Sequence, residues 1–169
     1  ILLESFSKIT DKHPNIILVL IGKADTQEDE QSLKALATSM GIEKNTLFTG
    51  VLSRDLIPGY LCNAEVLVLS RPRSIVADAG FPSKVTEYLS TGKPAVVTRV
   101  GEIPLYLTDN VNAFLAEPDD IDDFANKMDY VLSNYQLSIK VGIKGRELVE
   151  STFNYRYQSK RIIDFLKVM

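Results

Sequence analysis

The sequence predicts an α/β fold: an open, Rossmann-like parallel sheet flanked by helices on both faces. Two observations carry this. Short apolar runs alternate with longer amphipathic ones along the chain, the order expected of strand–helix–strand units. The apolar runs are also continuous rather than alternating in polarity, which marks strands covered on both sides.

The elements follow in order. The chain opens on Ile1-Leu2-Leu3-Glu4, already in helical rhythm and without Met, and so reads as starting inside a domain. Residues 16–21 are consecutive aliphatics closed by Gly22, a first strand. Leu33, Leu36, Ala37 and Met40 share one helix face, with Gly41 placed as its C-cap. Val66-Leu67-Val68-Leu69 stops at Ser70 and Ala95-Val96-Val97 stops at Thr98, two further strands. Leu47-Phe48-Thr49 and Ala113-Phe114-Leu115 are placed as strands by their spacing between helical stretches. A helix over 85–91 runs into the stop signal Gly92-Lys93-Pro94. Ile121, Phe124, Ala125, Met128, Val131 and Leu132 repeat at helical spacing behind Asp119, Asp120, Asp122 and Asp123, acids that suit a helix start. Two more helices are expected over 137–152 and 156–169. With no repeat, low-complexity tract or linker, residues 1–169 read as a single domain.

Composition narrows the function. The chain has 169 residues, 45% of them hydrophobic, and a formal net charge of -3. That mild acidity gives no electrostatic reason to expect a nucleic acid partner. Its single cysteine, Cys62, fits a reducing compartment, so a cytoplasmic location is expected. One histidine, His13, builds neither a metal site nor a histidine-centred triad alone. No apolar run approaches a membrane span in length.

In an open parallel sheet, ligands bind beyond the carboxyl ends of the strands, at helix N-termini. That rule selects three loops, 22–25, 70–82 and 98–102. The middle loop holds Arg71, Arg73 and Asp78, then Gly80-Phe81-Pro82-Ser83-Lys84 and a helix carrying Glu87. Gly80 lets a ligand approach the backbone, and Pro82 presets φ for a first helical turn. The N–H groups of Ser83, Lys84 and Val85 would then face a phosphate, with the Lys84 charge beside it. Glu87, about one turn in, can accept hydrogen bonds from a diol such as ribose. A glutamate that merely complements the helix dipole is the plainer reading of the same position.

Residues 80–94, from Gly80-Phe81-Pro82-Ser83-Lys84 through Glu87 to Gly92-Lys93-Pro94, resemble the donor-site motif of glycosyltransferase family 4 and its GT-B relatives. Other pieces match in order: residues 16–22, Leu47-Phe48-Thr49-Gly50-Val51, residues 64–70, Val100-Gly101-Glu102-Ile103-Pro104 and Asn112-Ala113-Phe114-Leu115-Ala116. The resemblance covers nearly the whole chain. It implies the C-terminal, donor-binding domain of a two-domain GT-B enzyme, transferring a sugar from a nucleotide diphosphate sugar with retention and without a metal. It further implies that Glu87 binds the ribose hydroxyls, that N–H groups over 81–84 hold the diphosphate, and that Gly50 and Val51 line the base pocket. Arg71 and Arg99 are secondary candidates for the diphosphate charge.

Two departures stand out. The family motif pairs two glutamates with seven residues between them; here the second is Glu87, but the first position is Ala79. Asp78 is the candidate for the donor-sugar contact that Ala79 cannot make. The resemblance also places a central first strand, the cationic residues that neutralise the leaving diphosphate, and an acceptor-binding N-terminal domain upstream of Ile1. The chain alone is then expected to be inactive. The acceptor would be a sugar or a lipid-linked sugar, with any membrane contact peripheral and made by a longer protein.

Other residues carry blander readings. His13 suits a surface or capping role, Cys62 a small buried hydrophobe, and the acids at 117–123 a helix start. Lys140, Lys144 and Arg146 read as a solvated helix face, while Ile162, Phe165 and Leu166 are expected to be partly exposed. Two competing functions remain: a sugar-nucleotide 2-epimerase of the same fold, and a non-catalytic nucleotide-binding or scaffold domain.

Overall fold

A computed structural model describes residues 1–168; Met169, expected to end the last helix, lies outside the described residues. Five strands form, β1 (Leu18–Ile21), β2 (Thr46–Gly50), β3 (Leu67–Leu69), β4 (Ala95–Thr98) and β5 (Phe114–Ala116). All five are where the aliphatic runs place them, shifted by a residue or two. The helices are α1 (Leu2–Ser7), α2 (Gln27–Ser39), α3 (Ile57–Asn63), α4 (Ile75–Asp78), α5 (Ser83–Ser90), α6 (Ile103–Tyr106), α7 (Ile121–Ser133), α8 (Tyr135–Ser151) and α9 (Tyr155–Val168).

Every strand pairing is parallel, as the continuous aliphatic runs require. The parallel strands lie in two parts. The strands divide into a two-stranded sheet, β1-β2, and a three-stranded sheet, β3-β4-β5. No ladder joins β1 to β3, so the described strands leave both of those edges unpaired. The consequence shows in burial. The strand β4 is buried at all four positions, whereas along β1 only Leu18 is buried.

Two apolar clusters lie on opposite faces. One gathers Leu3 and Phe6 of α1, Phe124 and Met128 of α7, Val96 and Phe114. The other gathers Val85 and Leu89 of α5, Ile103 of α6, Ala95, Val97 and Leu115. Neighbours in β4 and β5 thus point to different clusters, the two-residue period of a strand sandwiched between helices. The helix α8 seats closely on α5. A Cβ at Gly142 would lie 2.4 Å from the Gly92 carbonyl oxygen, and one at Gly145 2.6 Å from that of Asn112.

Helix starts follow the capping chemistry in the sequence. The Asp120 carboxylate accepts from the Asp123 N–H at 2.9 Å and opens α7. Thr26 does the same for α2 through the Asp29 N–H. Such caps contribute about 1 kcal/mol each. The His13 side chain, only 17% exposed, joins the turn after α1 to α7 rather than standing free at the surface, with Nε2 2.7 Å from Asp129.

Candidate functional site

Two of the three carboxyl-edge loops, 70–82 and 98–102, meet at the end of the three-stranded sheet and are held by specific contacts, whereas loop 22–25 follows β1 in the other sheet. The Thr98 hydroxyl, buried at the end of β4, accepts the Arg71 N–H at 2.9 Å and ties the loop after β3 to β4. The loop after β4 turns at Gly101, whose φ is +56°. A Cβ there would lie 2.3 Å from the Ala77 carbonyl oxygen and 2.6 Å from that of Gly80. The loop that carries the candidate residues therefore lies directly against Gly101, closer than any side chain would allow.

Part of the middle loop is helical. Ser74 caps the short α4, its hydroxyl accepting the Ala77 N–H at 3.0 Å, and Asp78 ends that turn. Asp78 is exposed, and Ala79 follows it as the helix cap. On a helical turn the two side chains diverge by about 100°, so Asp78 points elsewhere than a glutamate at Ala79 would.

Pro82 is the N-cap of α5 and lies just outside the helix, in extended conformation. One sequence expectation is corrected here. The Val85 N–H is not free but donates to the Pro82 carbonyl at 3.0 Å. The N–H groups of Phe81, Ser83 and Lys84 have no intramolecular acceptor among the described residues. These are the groups that an anion can take up at a helix start. At Gly80 an added Cβ would meet no atom within 4 Å, so packing within the chain does not require glycine there.

Glu87 and Lys84 stand on one exposed face of α5, with Nζ donating to Oε2 at 3.1 Å. Both are about half exposed, and such a surface pair contributes less than about 1 kcal/mol, so ligand contacts can replace it at little cost. Burial, with the Glu87 charge next to it, pushes the Tyr88 phenol above its ordinary range. The two side chains open on a groove of about 540 Å³ between α3 and α5. Its α3 wall is Ile57, Pro58, Leu61 and Cys62; its α5 wall adds Ser90 and Thr91, and Arg54 stands at α3's approach.

This groove was only half legible. The α5 wall follows from spacing, since Lys84, Glu87 and Thr91 recur at helical intervals. The α3 wall was missed. Cys62, read from sequence as a buried hydrophobe, is exposed and lines the groove. The reason is that α3 connects β2 to β3, crossing between the two sheets, and buries none of its residues.

The remaining candidates lie apart from the groove. Gly50 ends β2, its carbonyl accepting the Gly22 N–H at 2.9 Å, and Val51 beside it is 71% exposed. Arg99 is engaged along the edge of the sheet, Nε lying 3.2 Å from Glu117. The Arg73 N–H donates to Asp119. Phe81, partly exposed, packs in an aromatic triangle with Tyr106 and Phe153.

A family model, Glycosyl transferases group 1, matches residues 1–148. The chain belongs to the group 1 glycosyltransferases. A curated relative, trehalose synthase of Pyrococcus horikoshii, is 25% identical over 97% of the chain, which spans 39% of that protein. The chain thus spans between 29% and 40% of the length of the curated relatives it matches. The fold is that of a GT-B glycosyltransferase domain. Superposition on Anabaena Alr3699/HepE, solved in complex with UDP and glucose, gives a TM-score of 0.84 at 19% identity, covering 99% of this chain and 44% of that one. The solved C-terminal domain of the group 1 protein LpcC from Francisella tularensis matches with a TM-score of 0.79 at 24% identity, covering 91% of this chain and 78% of that one. As in the sequence, no helix among the described residues is long and apolar enough to cross a membrane.

Proposed function

We propose that this domain binds a nucleoside diphosphate sugar for retaining transfer of the sugar to an acceptor held by another part of the enzyme. The observation that carries the reading is the entrance to α5. There, unpaired N–H groups at Phe81, Ser83 and Lys84 stand one turn from the exposed Glu87 carboxylate. Spaced in this way, they suit a diphosphate at the helix N-terminus and a ribose diol on the carboxylate. The α3 wall of the groove, Ile57, Pro58 and Leu61, offers an apolar surface for the flat face of a base, and Gly50 and Val51 at the end of β2 are the other candidates for that contact.

The N–H groups and the Lys84 charge stabilise a leaving diphosphate electrostatically, so binding is expected to need no metal. Asp78 is the candidate for the donor-sugar contact. The acceptor is a sugar or a lipid-linked sugar, in the making of a polysaccharide or glycolipid. Cys62, a free and exposed thiol, suits the reducing cytoplasm.

The test is ligand-observed NMR against UDP, GDP, ADP and CMP, with and without EDTA, on the chain and on Glu87→Ala. One nucleoside diphosphate should bind, unaffected by chelation, and weaken at least about tenfold in the variant, since a hydrogen bond to a charged group is worth about 1.5–3 kcal/mol. Equal binding of the variant would remove Glu87 from the ribose site. Silence towards all four would instead favour a scaffold domain.

A further inference from the structure

The donor loop is anchored by residues outside it. Phe81 stacks on Phe153 with ring centroids 5.1 Å apart and planes 22° from parallel. Tyr106 of α6 meets Phe81 edge-on at 5.4 Å and Phe153 at 5.1 Å, closing a triangle. Otherwise the stretch around Gly80 and Phe81 has few ties; the Gly80 carbonyl accepts from the Glu102 N–H at a long 3.5 Å.

Phe153 is well placed to act as that anchor. It stands in the turn between α8 and α9, its N–H donating to Val149 at 3.2 Å. The end of α8 is itself fixed, with Leu148 and Val149 packed on the apolar cluster beneath α5. On its other side, the Gln158 side chain of α9 donates to the Thr152 carbonyl. Beyond this turn α9 is almost wholly exposed, Phe165 and Leu166 by 67% and 62%. One aromatic ring therefore links the start of an unpacked helix to the loop whose N–H groups face the site.

We infer that Phe153 is a positioning residue for the donor loop, holding Phe81 so that the N–H groups over 81–84 stay aimed, and coupling the start of α9 to nucleotide binding. The inference rests on the reading of that loop as the diphosphate site. The coupling is reciprocal, as linkage requires: whatever seats α9 tightens the loop, and nucleotide on the loop steadies the first turn of α9.

Amide NMR of the full 169-residue chain tests it in two arms, using Phe153→Leu, which removes the ring, and Phe153→Tyr, which keeps it. Without nucleotide, Phe153→Leu should shift the Phe81, Ser83 and Lys84 amides and speed their hydrogen exchange, and Phe153→Tyr should restore them. With UDP and GDP, Phe153→Leu should weaken binding about three- to tenfold, the scale of one or two aromatic contacts. Nucleotide should also slow exchange over 153–158 in the unmutated chain, which a purely structural residue would not cause. Should Phe153→Leu fail to fold, Tyr106→Leu, at a partly exposed corner of the triangle, should give the same pattern. Unchanged loop amides in these variants would overturn the anchor. Nucleotide binding that leaves 153–158 unmoved would overturn the coupling. If the unmutated chain binds neither nucleotide, the coupling falls with the donor reading, while the first arm still decides the anchor.

Discussion

At Gly101 one missing methyl group decides where the donor loop can sit. The residue has φ +56°, and its would-be Cβ lies inside contact distance of two carbonyl oxygens, those of Ala77 and Gly80. Both are backbone atoms, so no side chain can swing aside to make room. Gly101→Ala is expected to cost about 1–2 kcal/mol for the left-handed backbone and about 1–3 more for the crowding. A stability loss of about 2–5 kcal/mol should appear in urea denaturation, together with shifted amides over 77–80. A variant as stable as the parent would mean that the loop moves freely and that Gly101 does not set its place. The same close approach explains why spacing could mark the loop as a site yet say nothing of how it is held: the contact joins residues far apart in sequence.

Between elements, the tie that can be read by pH is that of the turn after α1 with α7. The Asp129 carboxylate accepts from Lys12 at 2.6 Å, His13 at 2.7 Å and Ser133 at 3.1 Å. Burial pushes Asp129 up, but hydrogen bonds from Lys12, His13 and Ser133 outweigh it and hold the carboxyl below its ordinary range. A depressed folded-state value gives stability that is present above the unfolded value, about 4, and lost as pH falls through the folded one. Acid titration of thermal stability should therefore show a loss below about pH 4 that is smaller in Asp129→Asn. An identical profile in the variant would assign the acid sensitivity to other carboxylates. Legibility at this scale divides along the same line as the physics. Aliphatic runs and helical repeats are local, so β1, β3, β4, α2 and α7 are visible in the sequence, while β2 and β5 are placed only by their spacing between helical stretches. The four-residue α4 and α6 are too short to show a period. The pairings of Lys84 with Glu87 and Arg99 with Glu117 depend on side-chain direction, which spacing only partly encodes.

Across the whole molecule, the break between the sheets governs both stability and the shape of the site. The exposure of Cys62 and the open groove follow from it, because α3 crosses from one sheet to the other without burying a residue. The aliphatic runs alone do not report that β1 and β3 fail to pair, since they are as continuous as that of β4. The two parts should differ in how they open. The three-stranded sheet has β4 and β5 wholly buried between two layers of helix. The β1-β2 sheet has only two strands, with Val19, Ile21 and Leu47 between 37% and 48% exposed. A two-stranded sheet is marginal by itself, and exposed apolar contacts contribute little to holding it closed. Native-state hydrogen exchange should accordingly find the β4 and β5 amides exchanging only through global unfolding. Those of β1 and β2 should exchange through a smaller opening, at least about tenfold faster, a difference of about 1.4 kcal/mol. A low concentration of denaturant should bring the β4 and β5 rates towards the others as global unfolding takes over. Equal protection throughout would show the two sheets to be one cooperative unit, bound through α1 and α7 strongly enough to make the unpaired edges irrelevant.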